Sequence, residues 1–60
     1  MFTITLYNPE LDPEKEKALI YEDVIDFDHF SNGEVDLHFT EQEPQTVELS
    51  ENNVMEVKLQ

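Results

Sequence analysis

Apolar residues in this chain alternate with polar ones in short runs, and this period of two constrains the fold more than any other feature. In the first run, Phe2, Ile4 and Leu6 alternate with two threonines, and the run closes at Tyr7. Successive side chains of a β-strand point to opposite faces of a sheet, so such alternation predicts a strand with one buried face. Because similar runs recur along the chain, the pattern favours folding over disorder despite the high charge.

The alternation predicts five strands separated by polar breaks. The predicted strands are residues 2–7, 18–30, 34–40, 46–49 and 55–59. The first break contains Pro9 and Pro13, and Asp12 before Pro13 has the form of a helix N-cap, so a loop or a single helical turn is expected after strand 1. A one-turn break over residues 50–53 is expected before strand 5.

The segment Ser31-Asn32-Gly33 is the strongest hairpin signal and holds the only glycine. A two-residue turn would bring the apolar residues of the next strand onto the face of Asp26 and Asp28, which would bury carboxylates. A three-residue loop with Gly33 in the left-handed conformation makes the apolar sets coincide, so this loop is predicted. The predicted pairs are Phe30 with Glu34, His29 with Val35, Phe27 with Leu37, and Ile25 with Phe39.

Most apolar residues of the long second strand fall on odd positions, and Val24 does not. We therefore predict a bend or bulge near Asp23. The residues expected to be nearly fully buried are Phe27, Leu37, Phe39 and Val57. Val24 and Phe30 are expected on the outward face.

Sixty residues allow a single small β domain over 1–60. The strand pattern predicts an all-β fold, a five-stranded antiparallel meander that forms either a strongly bent sheet or an SH3-like barrel. Strand lengths and spacing resemble that barrel, but the aromatic and proline-binding residues of peptide-reading SH3 domains have no match here. The resemblance therefore implies an architecture and no function.

Fifteen acidic residues against three lysines and no arginine give a formal net charge of -12. Direct contact with nucleic acid is not expected, because phosphate binding needs clustered basic residues. An anionic membrane surface would repel the chain for the same reason. The absence of cysteine suits a reducing cytosol, and the first residues lack the features of a secretion signal, so a cytoplasmic location is expected.

No catalytic, cofactor or metal site is predicted, and the chain is not expected to be an enzyme. Ser31 and Ser50 fall in turns, and a single glycine cannot build a phosphate-binding loop. Two adjacent strands would offer carboxylates and an imidazole to a divalent cation, but their spacing matches no calcium motif. Solvated acidic strand faces are common, so a dedicated metal site is not predicted.

The acidic face itself is the candidate site. No lysine or arginine lies between Ala18 and Met55, whereas this stretch holds ten acidic residues. The residues predicted to bind a partner are Asp26, Asp28, Glu34, Asp36 and His38. The favoured hypothesis is an interaction module that docks this face on the basic surface of a larger protein. The alternatives are a DNA mimic of the kind encoded by phages and other mobile elements, a structural homo-oligomer such as a homodimer, or a charge that serves only solubility.

Overall fold

The computed structural model describes all sixty residues, Met1–Gln60, and folds them into one antiparallel sheet without helices. The strands are β1 (Phe2–Tyr7), β2 (Leu19–His29), β3 (Glu34–Phe39), β4 (Gln45–Glu48) and β5 (Val54–Leu59). The all-β prediction is therefore confirmed, and each boundary lies within one residue of its predicted position. No helix of the length and apolarity needed to traverse a membrane is present.

The strands lie in the order β4-β3-β2-β1-β5. β1 to β4 follow the predicted meander, and β5 returns to the far side of β1. There Met55 and Val57 lie opposite Leu6 and Ile4, so the apolar faces of the two strands coincide. β4 and β5 remain the two edges, so the sheet is open and bent and does not close into the SH3-like barrel that was the alternative.

The first connection is a loop organised by two side chains. The Asn8 side chain accepts a hydrogen bond from the Glu10 amide, and the Asp12 carboxylate accepts from the amides of Glu16 and Lys17. Asp12 thus receives backbone donors as a helix cap would. The backbone of Lys15 is left-handed, with φ of 60°, so no helix continues from this turn.

The hairpin between β2 and β3 has the predicted three-residue loop. Gly33 has φ of 89°, and its amide donates to the Phe30 carbonyl at 3.1 Å. The Phe30 amide donates to the Glu34 carbonyl at 2.8 Å, which closes the loop, and the Asn32 side chain accepts from the Glu34 amide. The pairs His29 with Val35 and Phe27 with Leu37 are confirmed.

β2 carries one extra residue against each of its neighbours. Against β1, Tyr21 pairs with Ile4 and Val24 pairs with Phe2, so an interval of three residues on β2 lies opposite an interval of two on β1. Asp23 lies in this bulge and has φ of 60°. Against β3, a second irregularity lies between Val24 and Asp26. The bulge near Asp23 was predicted, whereas the second one was not. As a result Phe39 pairs with Val24, and the predicted pairing of Ile25 with Phe39 is wrong.

The buried core is small and lies on one face of the bent sheet. Its members are Ile4, Leu6, Val24, Val35, Leu37 and Val47. Leu37 is buried as predicted, but the outward placement of Val24 is wrong because each of the two bulges inverts the alternation and Val24 lies between them. Phe30 is exposed as expected.

Three other predicted core residues are less buried than expected. Phe27 and Phe39 are half-buried against the core, and Phe27 meets Phe2 edge to face with ring centroids 6.0 Å apart. Val57 is 39% exposed because its strand is an edge, beyond which nothing packs. The core is therefore centred on β1, β2 and β3.

Gly33→Ala should destabilise the protein by about 1–3 kcal/mol. The residue must hold a positive φ, and an added Cβ would lie 3.0 Å from the Leu49 carbonyl oxygen. Asn32→Ala removes one exposed hydrogen bond and should cost less. Urea unfolding of the two variants measures the difference, and a larger cost for Asn32→Ala would contradict the observed loop.

Candidate acidic interface

The predicted partner-binding residues share the sheet face opposite the core. Asp28 lies opposite Asp36, and Asp26 lies opposite His38, as the predicted register requires. Glu34 follows on the same face of β3, because side chains two residues apart share a face. The structure therefore brings all five together on one surface.

β4 extends this surface with residues that the sequence prediction did not include. Glu48 lies opposite Glu34, and Thr46 lies opposite Asp36. The alternation within β4 was visible in the sequence, but its register against β3 was not. We call the surface of Asp26, Asp28, Glu34, Asp36, His38 and Glu48 the acidic face.

Two like-charge pairs face each other across the strands of the acidic face, Asp28 with Asp36 and Glu34 with Glu48. Directly opposite residues have Cα atoms only about 5.5 Å apart in a hydrogen-bonded pair. Like charges at such positions destabilise a sheet. The acidic face therefore places like charges opposite each other at two positions.

The carboxylates of β2 and β3 turn toward different neighbours. Asp28 Oδ2 lies 3.0 Å from His38 Nε2, and Asp36 Oδ1 accepts a hydrogen bond of 2.7 Å from the Thr46 hydroxyl. Asp26 Oδ1 accepts from the Phe27 amide. The side chains thus diverge, and no group of three or more carboxylates and imidazoles is placed to hold a metal ion.

Basic charge collects at the opposite end of the sheet. Lys58 lies on β5, and Lys15 reaches β5 from the first loop, with Nζ 2.8 and 2.9 Å from the two carboxylate oxygens of Glu56. Because β5 and β4 are opposite edges, the molecule has an acidic end at β2, β3 and β4 and a mixed-charge end at β1 and β5.

Lys15, Tyr7 and Glu56 form a contact that the sequence prediction missed. The Lys15 ammonium lies 5.1 Å from the centroid of the Tyr7 ring, and the Tyr7 hydroxyl donates to Glu56. The hydrogen bond to Glu56 raises the pKa of Lys15, and the same bond lowers the pKa of Glu56. The contact ties the first loop to β5, and no sequence signal joins residues so far apart.

A groove of about 580 Å³ lies beside the bulge in β2. It is lined in part by Tyr21, Glu22, Asp23, Phe39 and Glu41. The lining offers three carboxylates, two aromatic rings and the hydroxyl of Thr40.

Searches of protein-family models, curated proteins and solved structures with this chain found no match.

Lys15→Met should lower the melting temperature near neutral pH, because it removes the ion pair with Glu56. Glu56 has a lowered pKa, so its contribution is full above its unfolded pKa and is lost as pH falls through the folded value. Lys15 has a raised pKa, so its contribution is lost as pH rises through the folded value. The difference in melting temperature between the parent and Lys15→Met should therefore vanish at both low and high pH.

Lys17→Met is the matched control, because it removes the same charge from the same exposed loop without a contact to Glu56. Thermal melts over pH measure both variants against the parent. A Lys15→Met difference that does not depend on pH, or one equal to that of Lys17→Met, would contradict a specific ion pair.

Proposed function

We propose that this chain is a non-enzymatic interaction module that docks its acidic face onto the basic surface of a larger protein. The observation that carries the proposal is that two like-charge pairs occupy directly opposed positions across β2, β3 and β4. Such pairs reduce stability, and a domain of this size has little to spare. A lysine or arginine of a partner placed between Asp28 and Asp36 would convert this repulsion into attraction.

The segregation of charge supports the same proposal. A charge that served solubility alone could be spread over the whole surface with both signs interspersed. Here the stretch from Ala18 to Met55 contains ten acidic residues and no lysine or arginine, and it supplies the acidic face. A single-sign surface of this kind steers a partner of opposite charge and speeds its association.

The contact chemistry favours arginine-rich partner surfaces. Asp28 is 58% exposed at its side chain, so its carboxylate is accessible to a planar guanidinium that binds in a bidentate manner. The chain contains no cysteine, which suits a reducing compartment, and we place the module in the cytosol on this basis.

A DNA mimic, as phages and other mobile elements encode, is the second candidate, and one spacing favours it. Asp26 and Asp28 share a face two residues apart, which corresponds to about 7 Å along a strand, close to the spacing of phosphates along a DNA strand. In this case the partner would be a nucleic-acid-binding protein, and duplex DNA would compete with the chain for it.

Asp36→Asn should stabilise the free protein and weaken its binding to a basic probe. The substitution removes one charge of the Asp28–Asp36 pair, while an amide oxygen still accepts from Thr46. A hexa-arginine peptide is the probe, titrated against labelled protein with amide shifts as the readout. In the parent protein we expect shifts confined to β2, β3 and β4. The variant should bind the peptide about 1.5-fold to fivefold more weakly, in the range of one exposed charge pair.

Glu14→Gln is the matched control, because it removes one negative charge from the first loop, away from the acidic face. The proposal predicts little change in its stability or its affinity. Equal losses of affinity for both variants, with shifts spread over the whole chain, would mean that net charge alone attracts the peptide. A second experiment separates the two candidate functions: proteins are captured on the immobilised chain and then washed with duplex DNA. Release of the captured protein by DNA would identify a DNA mimic, whereas its retention would identify a basic surface that does not bind DNA.

A further inference from the structure

The two edges of the sheet differ in how well they are protected from further strand pairing. β4 has four residues, follows Pro44 and ends at Glu48, so it is short and bounded by residues that discourage pairing. β5 has six residues, Val54–Leu59, with no proline and no bulge against β1. β5 is therefore the edge suited to another strand.

Alternate residues of β5 direct their backbone amide and carbonyl groups toward β1, and the residues between them direct these groups away from the sheet. The Gln60 amide donates to the Met1 carbonyl at 2.9 Å, so the backbone of Gln60 points toward β1. Direction alternates along an antiparallel strand, so Lys58 and Glu56 also point toward β1. The amides and carbonyls of Met55, Val57 and Leu59 consequently point away from the sheet.

The side chains of β5 separate into an apolar face and a charged face. Val57 is 39% exposed and Leu59 is 77% exposed on the core side, so apolar surface is left uncovered at this edge. Glu56 and Lys58 lie on the other side, and they are the only opposite charges two residues apart on one strand. Lys58 forms no ion pair within the chain.

We propose that β5 pairs with β5 of a second copy of this chain, antiparallel, about a two-fold axis at Val57. Val57 then meets Val57 of the second copy, and Met55 meets Leu59. All three pairs fall at positions whose backbone groups point outward, which gives roughly six new hydrogen bonds. The same register places Glu56 opposite Lys58 of the second copy, and Lys58 opposite Glu56.

Both requirements of an isologous interface are thus met by a single register. Self-pairing needs a strand that is its own complement, because the same surface is used twice. The hydrogen-bond phase requires the axis to pass through a residue position, so that outward-pointing residues meet outward-pointing residues. Among these positions, the charges select the one midway between Glu56 and Lys58. Val57 satisfies both conditions.

The net charge does not oppose this arrangement as strongly as its size implies. Each copy carries -12 overall, but the acidic face lies on the strands away from the β5 edge. Screening in solution reaches about 8 Å at physiological ionic strength. Two copies joined through β5 form a continuous ten-stranded sheet whose acidic ends lie at opposite extremes.

Charge reversal across the pair provides the test. Lys58→Glu places glutamate opposite glutamate, and Glu56→Lys places lysine opposite lysine, so each variant should dimerise at least tenfold more weakly than the parent. An equimolar mixture of the two restores both ion pairs and should associate as a heterodimer. Lys17→Glu changes the net charge as Lys58→Glu does, and its dimer affinity should change less than threefold.

Sedimentation equilibrium at protein concentrations up to about 1 mM measures the dimer dissociation constant. This concentration range covers the weak affinity expected for a small interface. Amide exchange of the parent chain locates it without any variant, because Met55, Val57 and Leu59 should gain protection as concentration rises. A parent chain that stays monomeric, a mixture that does not associate, protection at β4 instead of β5, or equal effects of Lys17→Glu and Lys58→Glu would overturn the proposal.

Discussion

One extra residue of β2 against each of its two neighbours determines which side chains face the core. The two irregularities flank Val24, so the alternation is inverted there and restored by Phe27. Because of this double inversion, odd-numbered residues face the core in the first and last parts of β2. Between the two bulges, the even-numbered Val24 faces the core instead. Bulges also bend a strand and increase its twist, which allows a single sheet to cover its own apolar face. The Gln60 side chain holds Asp23 through two reciprocal hydrogen bonds, so residues near the far edge of the sheet help to fix the bend.

The separation of acidic and mixed charge depends on this arrangement. Restoration of the odd alternation after Val24 leaves Asp26 and Asp28 opposite His38 and Asp36 on the outer face. The strand order then places β1 between these strands and β5, so the lysines collect at the other end. The acidic face and the β5 edge are therefore separate surfaces, so the proposed docking through one does not compete with the proposed pairing through the other.

Much of this fold could be predicted from the sequence, because alternation and turn chemistry act locally. Gly33 and the parity of Val35 and Phe27 were enough to determine the loop length and the register of the acidic face. Val24 was misplaced because one bulge was expected where two occur, and nothing in the sequence marks Ile25 as an insertion. Val57 was misplaced because alternation identifies a face and cannot distinguish an edge strand from a central one.

The contact of Lys15 with Glu56 lay beyond prediction for a related reason. It joins a loop to a strand 41 residues later, and such a contact follows from topology that a single sequence does not state. The Asp28–Asp36 pair of the acidic face, by contrast, followed directly from the hairpin register, whereas the Glu34–Glu48 pair did not. The part of the site made by the β2–β3 hairpin was thus accessible to prediction, whereas the contribution of β4 and the contact between distant segments were not.

The most direct test of the account is a set of nuclear Overhauser contacts from the Val24 methyl groups. The double bulge places Val24 on the core face, paired with Phe2 on one side and Phe39 on the other. Strong contacts from these methyls to the rings of both phenylalanines are expected, with Ile25 methyls showing none to Phe39. Contacts from Ile25 to Phe39, with Val24 in solvent, would mean that the alternation is not inverted and would contradict the account.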